Sequence, residues 1–193
     1  MWKRTVGIFW EAWQLWMAER KGDGGMSAMV ILIMGVSGCG KTTVGFKVAH
    51  ALKVPFLDGD DLHSPDSISK MQKGLPLTDD DRYPWLKRVA EKMIEMAGQG
   101  GGVLACSALK ERYRRVLRGD ASFPVLLVYL KGNRDTLYGR LQRRKNHFMS
   151  PDLLDSQLKT LEEPEHALTF SIELSPEIIC HRIVQYAARH PSV

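Results

Sequence analysis

"MVILIMGVSGCGKTTVGFKVAHAL", Met29 to Leu52, is the stretch on which the fold turns. It opens with the apolar run Met29–Met34, which has the length of a strand and falls well short of the ~18 residues a membrane span needs. The run does not alternate with polar residues, as expected of a strand buried on both faces. Gly35–Thr42, "GVSGCGKT", follows at once and fits G-x-x-x-x-G-K-[ST]. A helical pattern over Lys41–Leu52 comes next, so the motif sits between strand and helix, the context it requires. The glycines let the backbone N–H groups of Gly35, Val36, Ser37, Gly38, Cys39 and Gly40 turn inward around phosphate. The helix N-terminus adds its partial positive charge. Lys41 is placed to reach the β- and γ-phosphates, and the Thr42 hydroxyl to ligate Mg²⁺. The stretch therefore predicts a nucleoside triphosphate site without naming a reaction. The chain lacks the N-K-x-D guanine signature, since "NRD" at Asn133–Asp135 is not one. ATP is the expected nucleotide.

The same alternation continues outward. Apolar runs at Val54–Leu57, Val103–Cys106, Val125–Leu130 and Leu168–Leu174 predict strands. Helical patterns cover Ser67–Gln72, Pro84–Ala97, Leu109–Leu117, Arg134–Arg144, Asp152–Glu162 and Pro176–Ala188. Strand and helix in turn predict an α/β fold, a parallel sheet with helices on both faces. A length of 193 residues suits one domain with a proper core. The formal charge of +5 invites an anionic partner, but no long basic run concentrates it. A phosphorylated small molecule accounts for it, and no nucleic acid is expected. Cys39, Cys106 and Cys180 are odd in number and widely spaced, which fits neither a disulfide framework nor a zinc pattern and points to the reducing cytoplasm. Residues 1–28 carry Trp2, Trp10, Trp13 and Trp16 and end in a glycine-rich join, "KGDGG". Glu11 interrupts any signal-peptide core, and no membrane partner is expected. This segment reads as an appendage to a 29–193 domain, with Met26 and Met29 as alternative starts.

"FLDGDDLHSP", Phe56–Pro65, sets Asp58, Asp60 and Asp61 at the C-terminal end of the second strand. That is the sheet edge where ligands of open α/β folds bind, and the phosphate loop shares it. Two jobs suit such carboxylates: holding Mg²⁺ through water, and orienting and deprotonating an attacking hydroxyl. Asp61 and Asp66 also suit plain helix capping. In "GLPLTDDDRYPWL", Thr78 and the aspartates after it cap the helix expected from Pro84, while the Arg82 guanidinium matches a carboxylate bidentately. The third strand ends at Cys106 without the aspartate many phosphate-loop enzymes carry there, leaving Asp58 as the water-mediated metal partner. Ser107 and the helix N-terminus after it offer donors to a substrate. "GRLQRRKNHFMSPDLL" gathers Arg140, Arg143, Arg144, Lys145 and His147 before a helix start at Ser150–Pro151.

Taken together, "MGVSGCGKTT", "FLDGDDLH", "KMQKGLPLTDDDRYPWL", "ACSALKERYRRVLR", "VYLKG" and "RLQRRKNHFMSPDLLDSQLKTLEEP" resemble gluconokinase of the small P-loop kinase type, in one order from about Ile31 to the C-terminus. The lid reads "NHF", with Asn146 where that family has glycine. The resemblance implies a P-loop NTPase three-layer sandwich related to shikimate kinase, with a five-stranded parallel sheet in the order 2-3-1-4-5 and a mobile lid at about 143–152. It implies ATP-dependent, Mg²⁺-dependent phosphorylation of D-gluconate to 6-phospho-D-gluconate, and it leaves room for a homodimer. By the same resemblance Asp60 orients and deprotonates the 6-hydroxyl and Arg82 holds the substrate carboxylate. His63 is either a hydroxyl partner or a surface-loop residue. Ser107, Lys110 and His147 join the substrate set, with Lys110 meeting the gluconate carboxylate or the transferring phosphoryl. Arg140 and Pro176 sandwich the adenine. Arg144 is the lid cation, worth about 3–7 kcal/mol if it acts as an arginine finger. Two alternatives stand beside this: another small-metabolite kinase of the shikimate kinase type, which needs a glycine-rich turn where this chain has "CSALK", and a catalytically silent nucleotide-binding module, against which Lys41, Thr42 and Asp60 argue.

Overall fold

The computed structural model describes residues 29–119, 122–143 and 153–190. The Trp-rich appendage (1–28), Arg144, His147 and nearly all of the expected lid lie outside them. β1 (Val30–Met34) leads through the phosphate loop into α1 (Lys41–Leu52). Then come β2 (Phe56–Asp58), a 3₁₀ turn (Gly59–Leu62), α2 (Pro65–Gln72) and α3 (Asp79–Gly98). β3 (Gly102–Ala105), α4 (Glu111–Arg118), β4 (Val125–Lys131) and α5 (Arg134–Gln142) follow. The described elements end with α6 (Leu153–Thr160), β5 (Leu168–Ser171) and α7 (Pro176–Arg189). The strands form one parallel sheet in the order β2-β3-β1-β4-β5, as expected.

β1 pairs with β3 on one side and β4 on the other, so both its edges are satisfied. Its side chains alternate between two cores. Ile31 and Ile33 join Val44 and Val48 of α1 and Ile179 and Ile183 of α7. Val30, Leu32 and Met34 join Trp85, Leu86, Val89 and Met93 of α3. A strand with helices on both faces has no polar position to offer, which explains its continuous apolar run.

Several boundaries differ from the expected ones, each for a local reason. β2 starts at Phe56 rather than Val54, because Lys53 closes α1 in a left-handed cap (φ 55°) and the Val54 N–H donates to the Ala49 carbonyl at 3.0 Å. Pro55 then has no N–H to give a ladder. β3 stops at Ala105, one residue before Cys106. β5 stops at Ser171, where the chain turns and Leu174 N–H donates back to the Ser171 carbonyl. α4 begins at Glu111 rather than Leu109, because the Arg114 guanidinium takes the carbonyls of Ala108 and Leu109 at 3.0 and 3.2 Å. Buried at 2% exposure, Arg114 is a structural clasp rather than part of a solvated basic face.

The largest shift is at α3, which begins at Asp79 and carries Pro84 inside it. A capping box sets this start. Thr78 Oγ1 accepts from the Asp81 N–H at 3.2 Å, and Asp81 Oδ2 accepts from the Thr78 N–H at 3.0 Å. Asp79, Asp80 and Asp81 add negative charge at the positive helix end. This box fixes the turn from which Arg82 and Trp85 project. Thr78→Ala is therefore expected to lower stability by about 1 kcal/mol, read as a shift in the urea midpoint with an unchanged slope; an unmoved midpoint would mean that the box does not set the helix start.

Candidate active site

The phosphate loop leaves the middle of the sheet with Gly35 (φ 142°), Gly38 (φ 85°) and Gly40 (φ 98°) in conformations that side chains disfavour. At Gly35 there is also no room, since a Cβ would stand 2.8 Å from the Leu130 carbonyl. Gly40 opens α1 without any side-chain cap, so the helix N-terminus is left to an anion. Lys41 Nζ donates to the Val36 carbonyl at 3.2 Å, folding back over the loop. Burial works against its charge, but the fields of Cys39, Asp60 and Asp58 outweigh that and raise its pKa. Lys41 is a committed cation.

The carboxylates after β2 are tied to this loop directly. Thr42 Oγ1 donates to Asp58 Oδ2 at 2.7 Å, and the Asp60 N–H donates to Asp58 Oδ1 at 3.1 Å. Burial pushes the Asp58 carboxyl up, and so does the neighbouring Asp60 charge, while these two hydrogen bonds and Lys41 pull it down. The hydroxyl and carboxylate are hard oxygen donors side by side, which fits a Mg²⁺ that keeps several waters. Asp60 stands one step further out on the 3₁₀ turn and lines a cavity with Lys41, His63, Arg82 and Ser107. Asp61 is exposed, in keeping with the plain turn role open to it.

His63 is not a surface-loop residue. Its side chain is 4% exposed, and its ring stacks on Trp85 at 4.2 Å. Nε2 lies 3.9 Å from Asp60 Oδ1, and Nδ1 is buried without a hydrogen-bond partner among the described residues. Burial, then the guanidinium groups of Arg82 and Arg88, push its pKa down to about 4 against a weaker pull from Asp58. At neutral pH His63 is an uncharged ring. Trp85 Nε1 in turn donates to the Gly59 carbonyl at 2.7 Å, pinning the turn that carries Asp60.

Arg82 Nη1 donates to the Tyr113 hydroxyl at 3.3 Å, and that hydroxyl donates to Asp79. Lys110 Nζ pairs with Asp79 Oδ1 at 3.4 Å, and Arg112 also meets Asp79. Lys110 is thus held by Asp79 and is not among the cavity's lining residues, whereas Arg82 is. Asp79, expected only to cap, is the hub of this cluster. The Tyr113 hydroxyl, then Lys110 and Arg112, hold its carboxyl below the usual range. Cys106 is fully buried, and its thiol is pushed up to about 12, so it is inert. Arg140 Nη2 donates to the Ile172 carbonyl at 2.7 Å, which places Arg140 beside the β5–α7 turn where Pro176 opens α7.

Sequence reasoning missed Trp85, Tyr113 and Gln157. Trp85 and Tyr113 sit within quoted motifs, and their signal is an aromatic ring with a polar handle next to charged positions. Gln157 also falls within a quoted motif, but a polar residue on a helix carries no chemical signal of its own. Its side chain reaches the phosphate loop, where Oε1 accepts from the Ser37 N–H at 2.6 Å.

The sequence profile of the family described as shikimate kinase matches residues 37–175. Gluconokinase of Gluconobacter oxydans is 42% identical over 174 residues, covering 88% of this chain and 97% of the relative. Gluconokinase of Arabidopsis thaliana is 40% identical over 178 residues, covering 84% and 94%. The crystal structure of a gluconokinase from Sinorhizobium meliloti superposes with a TM-score of 0.76 at 38% identity, covering 86% of this chain and 94% of the other.

The depressed His63 pKa has a sign that can be tested. Below its ordinary pKa of 6.5 the unfolded chain takes up a proton that the folded one refuses until about pH 4. Stability from the neutral ring is therefore complete above 6.5 and lost as pH falls toward 4, on the order of 3 kcal/mol in all. Asp58, with a raised pKa, contributes the opposite slope. The difference between wild type and His63→Gln isolates the histidine: the wild-type unfolding midpoint should fall relative to the variant across this window. Parallel pH profiles would show that the ring is not held neutral.

Proposed function

The chain belongs to the gluconokinase family, and from that premise we infer that it transfers the terminal phosphoryl group of ATP to D-gluconate. The observation that carries this inference is the convergence of Lys41 with Asp60, His63, Arg82 and Ser107 on one cavity at the sheet's carboxyl edge. An anion loop faces carboxylates and hydroxyl partners there, which suits a nucleotide on one side and a hydroxylated acid on the other.

In the proposed reaction Asp60 accepts the proton of the gluconate 6-hydroxyl. The freed oxygen bonds to the γ-phosphorus, and the bond from that phosphorus to the β–γ bridging oxygen breaks. ADP leaves with the bonding pair, and the other product is 6-phospho-D-gluconate. Lys41 and the N-terminus of α1 neutralise charge on the phosphates. Thr42 and, through water, Asp58 would hold a Mg²⁺, which would supply further positive charge to the phosphates. Arg82 holds the substrate carboxylate, steadied by Tyr113. His63, neutral, meets a hydroxyl without repelling Arg82. Arg140 and Pro176 flank the adenine; Arg144, as a cation for the transferring phosphoryl, and His147, as a substrate partner, lie outside the described residues. We place the reaction in the cytoplasm; among the described residues no helix is long and apolar enough to cross a membrane. The similarity to gluconokinases disfavours both a shikimate-type acceptor and a silent module.

A coupled ADP-release assay over a panel of sugar acids separates them. Turnover with D-gluconate is expected. Turnover with a different acid alone would remove the substrate, and ATP binding without any turnover would favour the silent module. Asp60→Asn should lower kcat by about 10²- to 10⁴-fold with ATP affinity unchanged; wild-type activity in that variant would strip Asp60 of its role as base.

A further inference from the structure

We propose that Gln157 is a positioning residue for phosphoryl transfer, acting through Ser37; the proposal rests on the gluconokinase reading above. α6 forms a wall of the acceptor cavity. Leu153, Ser156 and Gln157 all line it, three and four residues apart and hence on one helix face. Leu153 anchors that face by packing with Met71 of α2 and Leu77 before α3. One turn later Gln157 reaches across to the phosphate loop and takes the Ser37 N–H at 2.6 Å, a contact spanning 120 residues of sequence.

Ser37 needs such a hold. Gly35 and Gly38, on either side of it, both have positive φ and bring no side chains to pack this part of the loop. Ser37 also lines the cavity that holds Lys41 and Asp60, at the junction between the nucleotide and the acceptor. A shift of an ångström there misaligns a transfer that depends on positioning. The chemistry of the holding group fits the place. A carboxamide oxygen accepts the amide hydrogen as a carboxylate would, but adds no negative charge beside a loop built for anions. Gln157 thereby ties the wall of the acceptor cavity to the loop that carries the phosphates.

The test uses the full chain and Gln157→Met, which keeps the side-chain length and removes the acceptor. Gluconate turnover should fall about tenfold, the cost of one positioning hydrogen bond, while the ATP Kd stays within about twofold. Gln157→Glu restores the acceptor with a charge, and should recover part of kcat while weakening ATP. Amide hydrogen exchange at Ser37, protected in wild type, should quicken in Gln157→Met. Unchanged turnover, or tighter ATP binding on removal of Gln157, would each overturn the proposal, the second by showing the contact to be an obstruction. A wild type inert toward gluconate would sink the function; exchange at Ser37 then decides the clamp alone, and an amide equally exposed in both proteins refutes it.

Discussion

β1 has no side that meets solvent. All of its side chains are 3% exposed or less, and its two edges are taken by β3 and β4. Burying each such side chain is worth roughly 1.5–3 kcal/mol, so the strand is held firmly at the centre of the sheet. The chain can then leave β1 only at the sheet's carboxyl edge, and the phosphate loop is pinned where β2 and β3 also end. The exits are joined to one another. Gly35 N–H donates to the Ser107 carbonyl at 3.4 Å, and Thr42 donates to Asp58. Residues from three strand ends thus share one cavity because a single strand is buried on every side.

Carboxylates beside a phosphate loop pose an electrostatic problem, and the site answers it with local partners. Asp58 has both oxygens occupied, one by a hydroxyl and one by a backbone N–H. Lys41 folds back over the loop, and its charge is stabilised by the fields of Asp60 and Asp58. His63, which might have balanced Asp60 as a cation, is kept neutral by burial and by two arginines. Arg82 and Asp60 both line the cavity, and the bond from the Asp60 N–H to Asp58 orients the turn that carries Asp60.

The phosphate loop and α1 are legible in the sequence because glycine spacing and helix pattern are local properties, and α1 runs over Lys41–Leu52 as expected. The sheet order follows from the family resemblance rather than from periodicity. Boundaries are less legible where a side chain outcompetes the pattern: Thr78 and Asp81 start α3 ahead of Pro84, and Arg114 delays α4. Lys41, Asp60, Arg82 and Ser107, read from four separate stretches, do meet around one cavity. The burial of His63 is not legible, because it depends on stacking against Trp85, 22 positions away in sequence but in van der Waals contact in space. Gln157 is harder still, since a glutamine on a short helix looks like any solvated residue until the loop it touches is placed.

Trp85 shows why acceptor geometry and core packing are inseparable here. Its indole is 2% exposed within the core beneath α3, yet its N–H holds the Gly59 carbonyl and its face supports His63. Gly59 itself is confined, since a Cβ would come within 2.9 Å of the Ala105 carbonyl. The turn bearing Asp60 is therefore clamped from below by β3 and from the side by α3. A smaller residue at Trp85 would open a cavity, orphan a buried carbonyl and free the histidine at once, and these costs would not add independently because they share one turn. The capping box at Thr78 reaches the site through this same helix: it sets where α3 begins, and the helix sets where Trp85 and Arg82 stand. Stability at the start of α3 and orientation of the acceptor are two consequences of one rigid element.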